Sequence, residues 1–202
     1  MKQIGVLISG RGTNLQALID AQAGGDLGGE IAVVLSNKTK ALGLKRAQDA
    51  HIPTEVVTKK LHRNRNEFDR AVMSVLKRYK VDLVVLAGYM RILSDEFIRE
   101  FENRIINIHP SLLPSFKGLK AQWQAVEHGV RISGCSTHFV TQKMDSGPVI
   151  LQKAVPVFEE DTGETLASRI LPEEHRLLIR SVRLYCQDRL SISEGRVIIE
   201  EK

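Results

Sequence analysis

Four short apolar runs punctuate the first half of the chain: "IGVLI" (4–8), "IAVVL" (31–35), "LVVLA" (83–87) and "IINI" (105–108). None alternates with polar residues. A strand with one wet face shows a period of two, whereas a parallel strand covered by helices on both sides reads as an unbroken, β-branched run. Between these runs the apolar period lengthens. Leu15, Leu18 and Ile19 fall at i, i+3 and i+4. Phe68, Val72, Val75, Leu76 and Tyr79 form a longer stripe, with Lys77, Arg78 and Lys80 near its end, where cations suit a helix C-terminus. "SDEFIREF" (94–101) offers Ser94 as an N-cap with acids in the first turn. This alternation predicts a Rossmann-like, doubly wound α/β sheet, mostly parallel and flanked by helices.

After Pro114 the pattern changes. "AQWQAVEH" reads as a short helix stopped at Gly129, and "ISGCSTHFV" and "PVILQKAVPV" read as two strands joined by the hairpin loop "TQKMDSG". A last helix begins near Thr162, and "RVIIEE" (196–201) is expected as an edge strand. With 202 residues and no repeat, low-complexity tract or Pro/Ser-rich linker, the chain fits one domain, 1–202. Its first half (1–110) has the phosphate-binding pattern, and a β-rich second half (111–202) packs on the same sheet.

Composition removes several classes of function. Cys135 and Cys186 are far apart and form no CxxC pair, against a disulfide scaffold or a thiolate zinc site. The other histidines form no HxxxH or carboxylate cluster, so no metal is expected. The only apolar stretch near the start, "IGVLIS", is too short for a signal core or a membrane span, and a soluble, cytoplasmic protein is expected. The net charge of +5 is spread out, with no basic run interleaved with aromatics, which argues against nucleic acid and suits anionic small molecules.

Three places then stand out as chemical. "SGRGTNLQ" (9–16) lies between the first strand and the first helix, where free amides and the helix dipole favour a phosphate. Gly10 and Gly12 would let the backbone approach the anion, and Thr13 and Asn14 add donors. As a dinucleotide fingerprint it fails, because Leu15 stands where GxGxxG needs glycine and strand two ends in Ser36-Asn37-Lys38 without an acid. A monophosphate fits better than NAD. The second place is "IINIHPSLLP" (105–114): Asn107 and His109, two residues apart, project to one face of a strand, opposite Ile106 and Ile108. Pro110 keeps His109 extended at the carboxyl end of that strand, the edge where open α/β sheets bind ligands. An amide donor beside an imidazole suits a reaction that forms an oxyanion. The third is "MDSGPVI" (144–150), where Asp145 opens a Gly-Pro turn and would face His109, fixing its tautomer and charge. In "LAGYMRIL" (86–93), Gly88 permits close backbone approach, and Met90, Ile92 and Leu93 would either line an apolar slot or, as is usual for such residues, pack in the core. His138, in "CSTHFV", either shares a strand face with the site or packs in the core, and core packing is the preferred reading.

Taken in order, "SGRGTNLQALID", "VVLAGYMRIL", "INIHPSLLPSFKG", "QAVEHGV", "GCSTHFV" and "MDSGPVILQ" make nearly the whole chain resemble the folate-dependent formyltransferases. Within that family the "SGRGTN" loop is similar to that of the branch formylating glycinamide ribonucleotide. The relatives that act on tRNA carry a C-terminal extension, and the formyl-folate hydrolases an N-terminal regulatory domain; neither addition is expected here. The resemblance implies the formyltransferase fold and transfer of the formyl group of 10-formyltetrahydrofolate, a co-substrate, to the amine of glycinamide ribonucleotide in purine synthesis. Formyl-folate hydrolysis is the alternative activity. It assigns Asn107, His109 and Asp145 to catalysis, Gly12, Thr13 and Asn14 to the ribonucleotide phosphate, and Glu174 to the glycinamide end. It also assigns Arg65, Met90, Arg91, Ile92, Leu93 and Asn107 to the folate. The partners it implies are small molecules, with a homodimer a possible assembly.

Two places depart from the family's pattern. Lys120 stands where a histidine is frequent, and Leu171-Pro172 replaces a polar residue in a helix without proline. Proline lacks an amide proton and disfavours helix in the residue before it, so a break at 171–172 is expected, with helix restarting at Pro172–Glu174.

Overall fold

The computed structural model describes residues 1–200. Seven strands form one sheet: β1 (Lys2–Ile8), β2 (Gly29–Ser36), β3 (Thr54–Val56), β4 (Leu83–Leu86), β5 (Ile105–His109), β6 (Ile132–Phe139) and β7 (Val149–Pro156). Their order is β3-β2-β1-β4-β5-β6-β7. The first five run parallel, while β6 and β7 are antiparallel to their neighbours. The expected doubly wound, mostly parallel sheet and β-rich second half are therefore present.

The four apolar runs are unbroken because alternate side chains enter two different cores. Val6, Ile8, Leu83, Val85, Ile106 and Ile108 pack with Leu15, Leu18, Leu166 and Leu178. These come from α1 (Thr13–Ala23) and α6 (Gly163–Cys186). Leu7, Val84, Leu86 and Ile105 pack on the opposite face with Phe68, Val72, Leu76 and Phe97. That second layer is α3 (Arg65–Arg78) and α4 (Asp95–Glu100). Ser94 caps α4 as its position suggests, its hydroxyl accepting the Phe97 N–H at 3.3 Å.

Four elements escape the periodicity: α2 (Leu42–Asp49), β3, the 3-10 turn Lys59–Leu61 and β8 (Leu190–Ser193). Each has eight residues or fewer and draws its stability from its neighbours. The remaining helix, α5 (Ala121–Glu127), ends before Gly129 as expected, and Lys120 occupies its N-cap with a left-handed φ of 57°.

Two expectations are corrected. β9 (Arg196–Ile199) does not edge the main sheet; it pairs with β8 in a separate two-stranded ribbon. Glu201, the end of the predicted edge strand, lies outside the described residues. Helix α6 is also unbroken, with Pro172 inside its 24 residues. The carbonyl left without a donor by Pro172 belongs to Ser168, and both residues lie on the exposed face, open to solvent. Leu166 and Ile170 on one side of the proline and Leu177, Leu178 and Val182 on the other are buried. At about 1.5–3 kcal/mol for each buried aliphatic side chain, they outweigh the roughly 3 kcal/mol cost of an internal proline.

Candidate active site

The chain leaves β1 outward to β2 and β3, then returns to β4 on the other side of β1. That reversal opens a crevice at the carboxyl ends of β1 and β4, where open α/β sheets take ligands. Loop 9–12 leaves β1 there, segment 87–94 leaves β4, and Asn107 and His109 end β5.

His109 and Asp145 meet. The imidazole Nδ1 lies 3.4 Å from Asp145 Oδ2, with the side chains only 6% and 10% exposed. The other ring nitrogen, Nε2, lies 2.9 Å from the Phe116 carbonyl. With an acceptor at each nitrogen, the doubly protonated ring is the form that both contacts accommodate. Asp145 is anchored in turn, because the Gly118 N–H donates to its Oδ2 at 2.8 Å. Phe116, Gly118 and Asp145 all have positive φ, so both segments turn sharply to reach this point. The Leu113–Pro114 peptide just before them is cis.

Asn107 completes the group through a residue that sequence reasoning placed in the core. It pairs with His138 across the antiparallel β5–β6 ladder. Its Nδ2 lies 3.2 Å from His138 Nε2, while His138 Nδ1 faces the Phe139 carbonyl at 2.9 Å. Burial lowers the His138 pKa, which keeps this imidazole neutral. A neutral ring protonated on Nδ1 donates to Phe139 and accepts from Asn107, satisfying both contacts. Asp145 Oδ1 also lies 3.7 Å from His138 Nε2. We read that approach as proximity and not as an ion pair, because desolvation outweighs the carboxylate's attraction. The missing signal was strand register, which decides that position 138 stands opposite 107.

Loop 9–12 joins β1 to α1 as expected, and its two glycines differ in surroundings. Gly12 sits at the N-cap of α1 with φ 73°, and no side chain caps the helix. Its first-turn amides are therefore available to an anion. A Cβ on Gly12 would lie 2.6 Å from Gly43 Cα, so this glycine also lets α2 pack close, whereas Gly10 faces open space. Asn14 and Glu174, far apart in sequence, come together: Asn14 Nδ2 donates to Glu174 Oε2 at 3.0 Å. Burial raises the Glu174 carboxyl pKa, which the Asn14 bond only partly opposes. Asn14 Oδ1 is buried without a partner. The continuous α6 carries Glu174 to this position.

Segment 90–93 mixes exposed and buried side chains. Met90 and Ile92 are 64% and 62% exposed, while Leu93 is buried. The Arg91 guanidinium lies over the Phe68 ring at 3.9 Å. Arg65, at the start of α3, is exposed and makes no hydrogen bond or ion pair to this segment among the described residues. Also among the described residues, no group of three His, Cys, Asp or Glu side chains is arranged to hold a metal, and no helix is long and apolar enough to cross a membrane.

Residues 2–182 match the family model described as "Formyl transferase". The human "Trifunctional purine biosynthetic protein adenosine-3" is 46% identical over 193 residues, 96% of this chain; the chain spans only 19% of that protein's length. The "Phosphoribosylglycinamide formyltransferase" of Haemophilus influenzae is 42% identical over 202 residues, covering 100% of this chain and 95% of its own. Among solved structures, "glycinamide ribonucleotide transformylase 1" from Symbiobacterium toebii superposes with a TM-score of 0.98 at 51% identity, covering 100% of this chain and 95% of that one.

Proposed function

The chain belongs to the formyl transferase family, and from that premise we propose that it transfers the formyl group of 10-formyltetrahydrofolate to the primary amine of glycinamide ribonucleotide. The observation that carries this reading is the His109–Asp145 contact beside Asn107 at the carboxyl end of β5. The substrate is drawn from the names borne by the relatives of matching length and fold.

In this reading the amine attacks the formyl carbon directly and no covalent enzyme intermediate forms. The new N–C bond makes a tetrahedral oxyanion. Asn107 has two amide protons; one is used on His138, which fixes the plane of the amide, and the second is directed at the oxyanion. His109, oriented by its contact with Asp145, in its protonated form adds a positive charge and protonates the folate nitrogen as the C–N bond to it breaks. The attacking amine sheds its extra proton to water. Delivering the His109 proton requires the ring to exchange the Phe116 carbonyl for the substrate. The α1 N-terminus with Thr13 and Asn14 receives the phosphate, Glu174 faces the glycinamide end, and the slot at 90–93 with Arg65 receives the folate.

The test is to incubate the protein with both substrates and look for a formylated ribonucleotide by mass. Product formation supports the assignment. Formate release that is indifferent to added ribonucleotide would favour the hydrolytic activity and overturn it.

A further inference from the structure

Segment 88–94 crosses the mouth of the crevice with no regular secondary structure, yet two buried side chains hold it. Near its start, the Met90 N–H donates to Ser9 Oγ at 2.8 Å, and the Ser9 hydroxyl donates to Asn37 Oδ1 at 2.7 Å. At its end, the Ser94 N–H donates to Asp69 Oδ2 at 2.6 Å. Ser9 and Asp69 are 3% and 1% exposed. One belongs to the loop leaving β1 and the other to α3, so the segment is tied to elements on both sides of it.

Asp69 is more than a helix cap. The Ser94 hydroxyl already caps α4 through the Phe97 N–H. For accepting one more N–H an asparagine would serve, without the several kcal/mol needed to bury a carboxylate. Burial raises the Asp69 carboxyl pKa, opposed by the bond from Ser94 and by the nearby charges of Arg91 and Arg65. Asp69 Oδ1, Tyr89 Oη and Arg91 Nε are all buried without a hydrogen-bond partner. Unsatisfied groups of this kind are rare in native interiors, and three of them lie in or directly behind one segment.

We infer that Asp69 and Ser9 are positioning residues for the formyl-donor slot. They clamp segment 90–94 at its two ends. Neither touches the reacting atoms; they act through the segment. This inference rests on the reading of that segment as the donor site.

The test compares D69L, D69N and S9A with the wild type, measuring KM for each substrate, kcat at saturation and amide exchange across residues 88–97. A bond to a charged acceptor that is lost on substitution corresponds to about a tenfold or greater change. D69L is therefore expected to raise the donor KM by that factor, with the ribonucleotide KM and saturating kcat held within about twofold. D69N, which keeps an acceptor oxygen, should recover part of the loss. S9A should raise the donor KM and speed exchange at Met90. If D69L fails to fold, D69N and S9A carry the comparison. An unchanged donor KM in the folded variants, or a parallel loss in both KM values and kcat, overturns the inference. If the wild type transfers no formyl group, the functional reading fails separately. Amide exchange then still decides the clamp, and exchange at 90–94 no faster in D69N and S9A overturns it.

Discussion

The two ends of the site bury ionisable side chains under opposite terms. His109, 5% exposed, has the Asp145 carboxylate at one nitrogen and the Phe116 carbonyl at the other. Glu174, 8% exposed, has only the neutral Asn14 amide, and burial raises its pKa. Removing a charge from water costs several kcal/mol, and a counter-charge with good geometry offsets it. The protein supplies that counter-charge at the end of β5 and withholds it on α6. In the proposed reaction, the difference would separate a group placed to carry charge from one that works as a hydrogen-bonding surface.

The largest way to break this contrast is to remove the charged pair. His109→Ala and Asp145→Ala are each expected to lower turnover by roughly 10²–10⁴ while ribonucleotide binding survives, because acid catalysis of this kind contributes about that factor. Rates at saturating substrate together with ribonucleotide affinity check it. Normal turnover in either variant would remove His109–Asp145 from the chemistry.

Much of this arrangement was legible in the chain. The runs at 4–8, 31–35, 83–87 and 105–108 declare a two-sided sheet because both faces of every central strand are covered, and hydrophobic pattern reports burial. Asn107 and His109 were visible as polar interruptions of such a run. What was hidden depends on three-dimensional pairing. His138 joins the site only through the β5–β6 register, and Asn14 meets Glu174 across 160 positions. The break expected at Pro172 followed a local rule that tertiary burial overrides. The role of Gly12 was half read, since its approach to Gly43 could not be inferred without α2.

Pro172→Ala sharpens the contrast from the other side. Glu174 depends on the rigidity of α6, so restoring the missing helix bond should stabilise the fold without touching the His109 pair. Proline costs about 3 kcal/mol in a helix interior relative to alanine, and up to about 1 kcal/mol returns through unfolded-chain entropy, leaving a gain of about 2 kcal/mol. Urea unfolding measures it, with turnover expected to stay at the wild-type level. A destabilised variant would mean that the proline relieves a strain elsewhere in α6.

The smallest effect addresses Glu174 itself through pH. Its folded pKa lies above the ordinary 4.5, so the folded state holds the proton more tightly than the unfolded chain does. The stability this contributes is fully present below that ordinary value and is lost as pH rises through the raised folded one. Glu174→Gln cannot titrate. The stability of the wild type relative to the variant should therefore fall as pH rises from about 4.5, with a slope of at most about 1.4 kcal/mol per pH unit, and then level off. Paired urea titrations over that range isolate the group, because all other titrations are common to both proteins. A relative stability that instead grows with pH would mean an ionised, partnered Glu174, and the two ends of the site would then follow one rule.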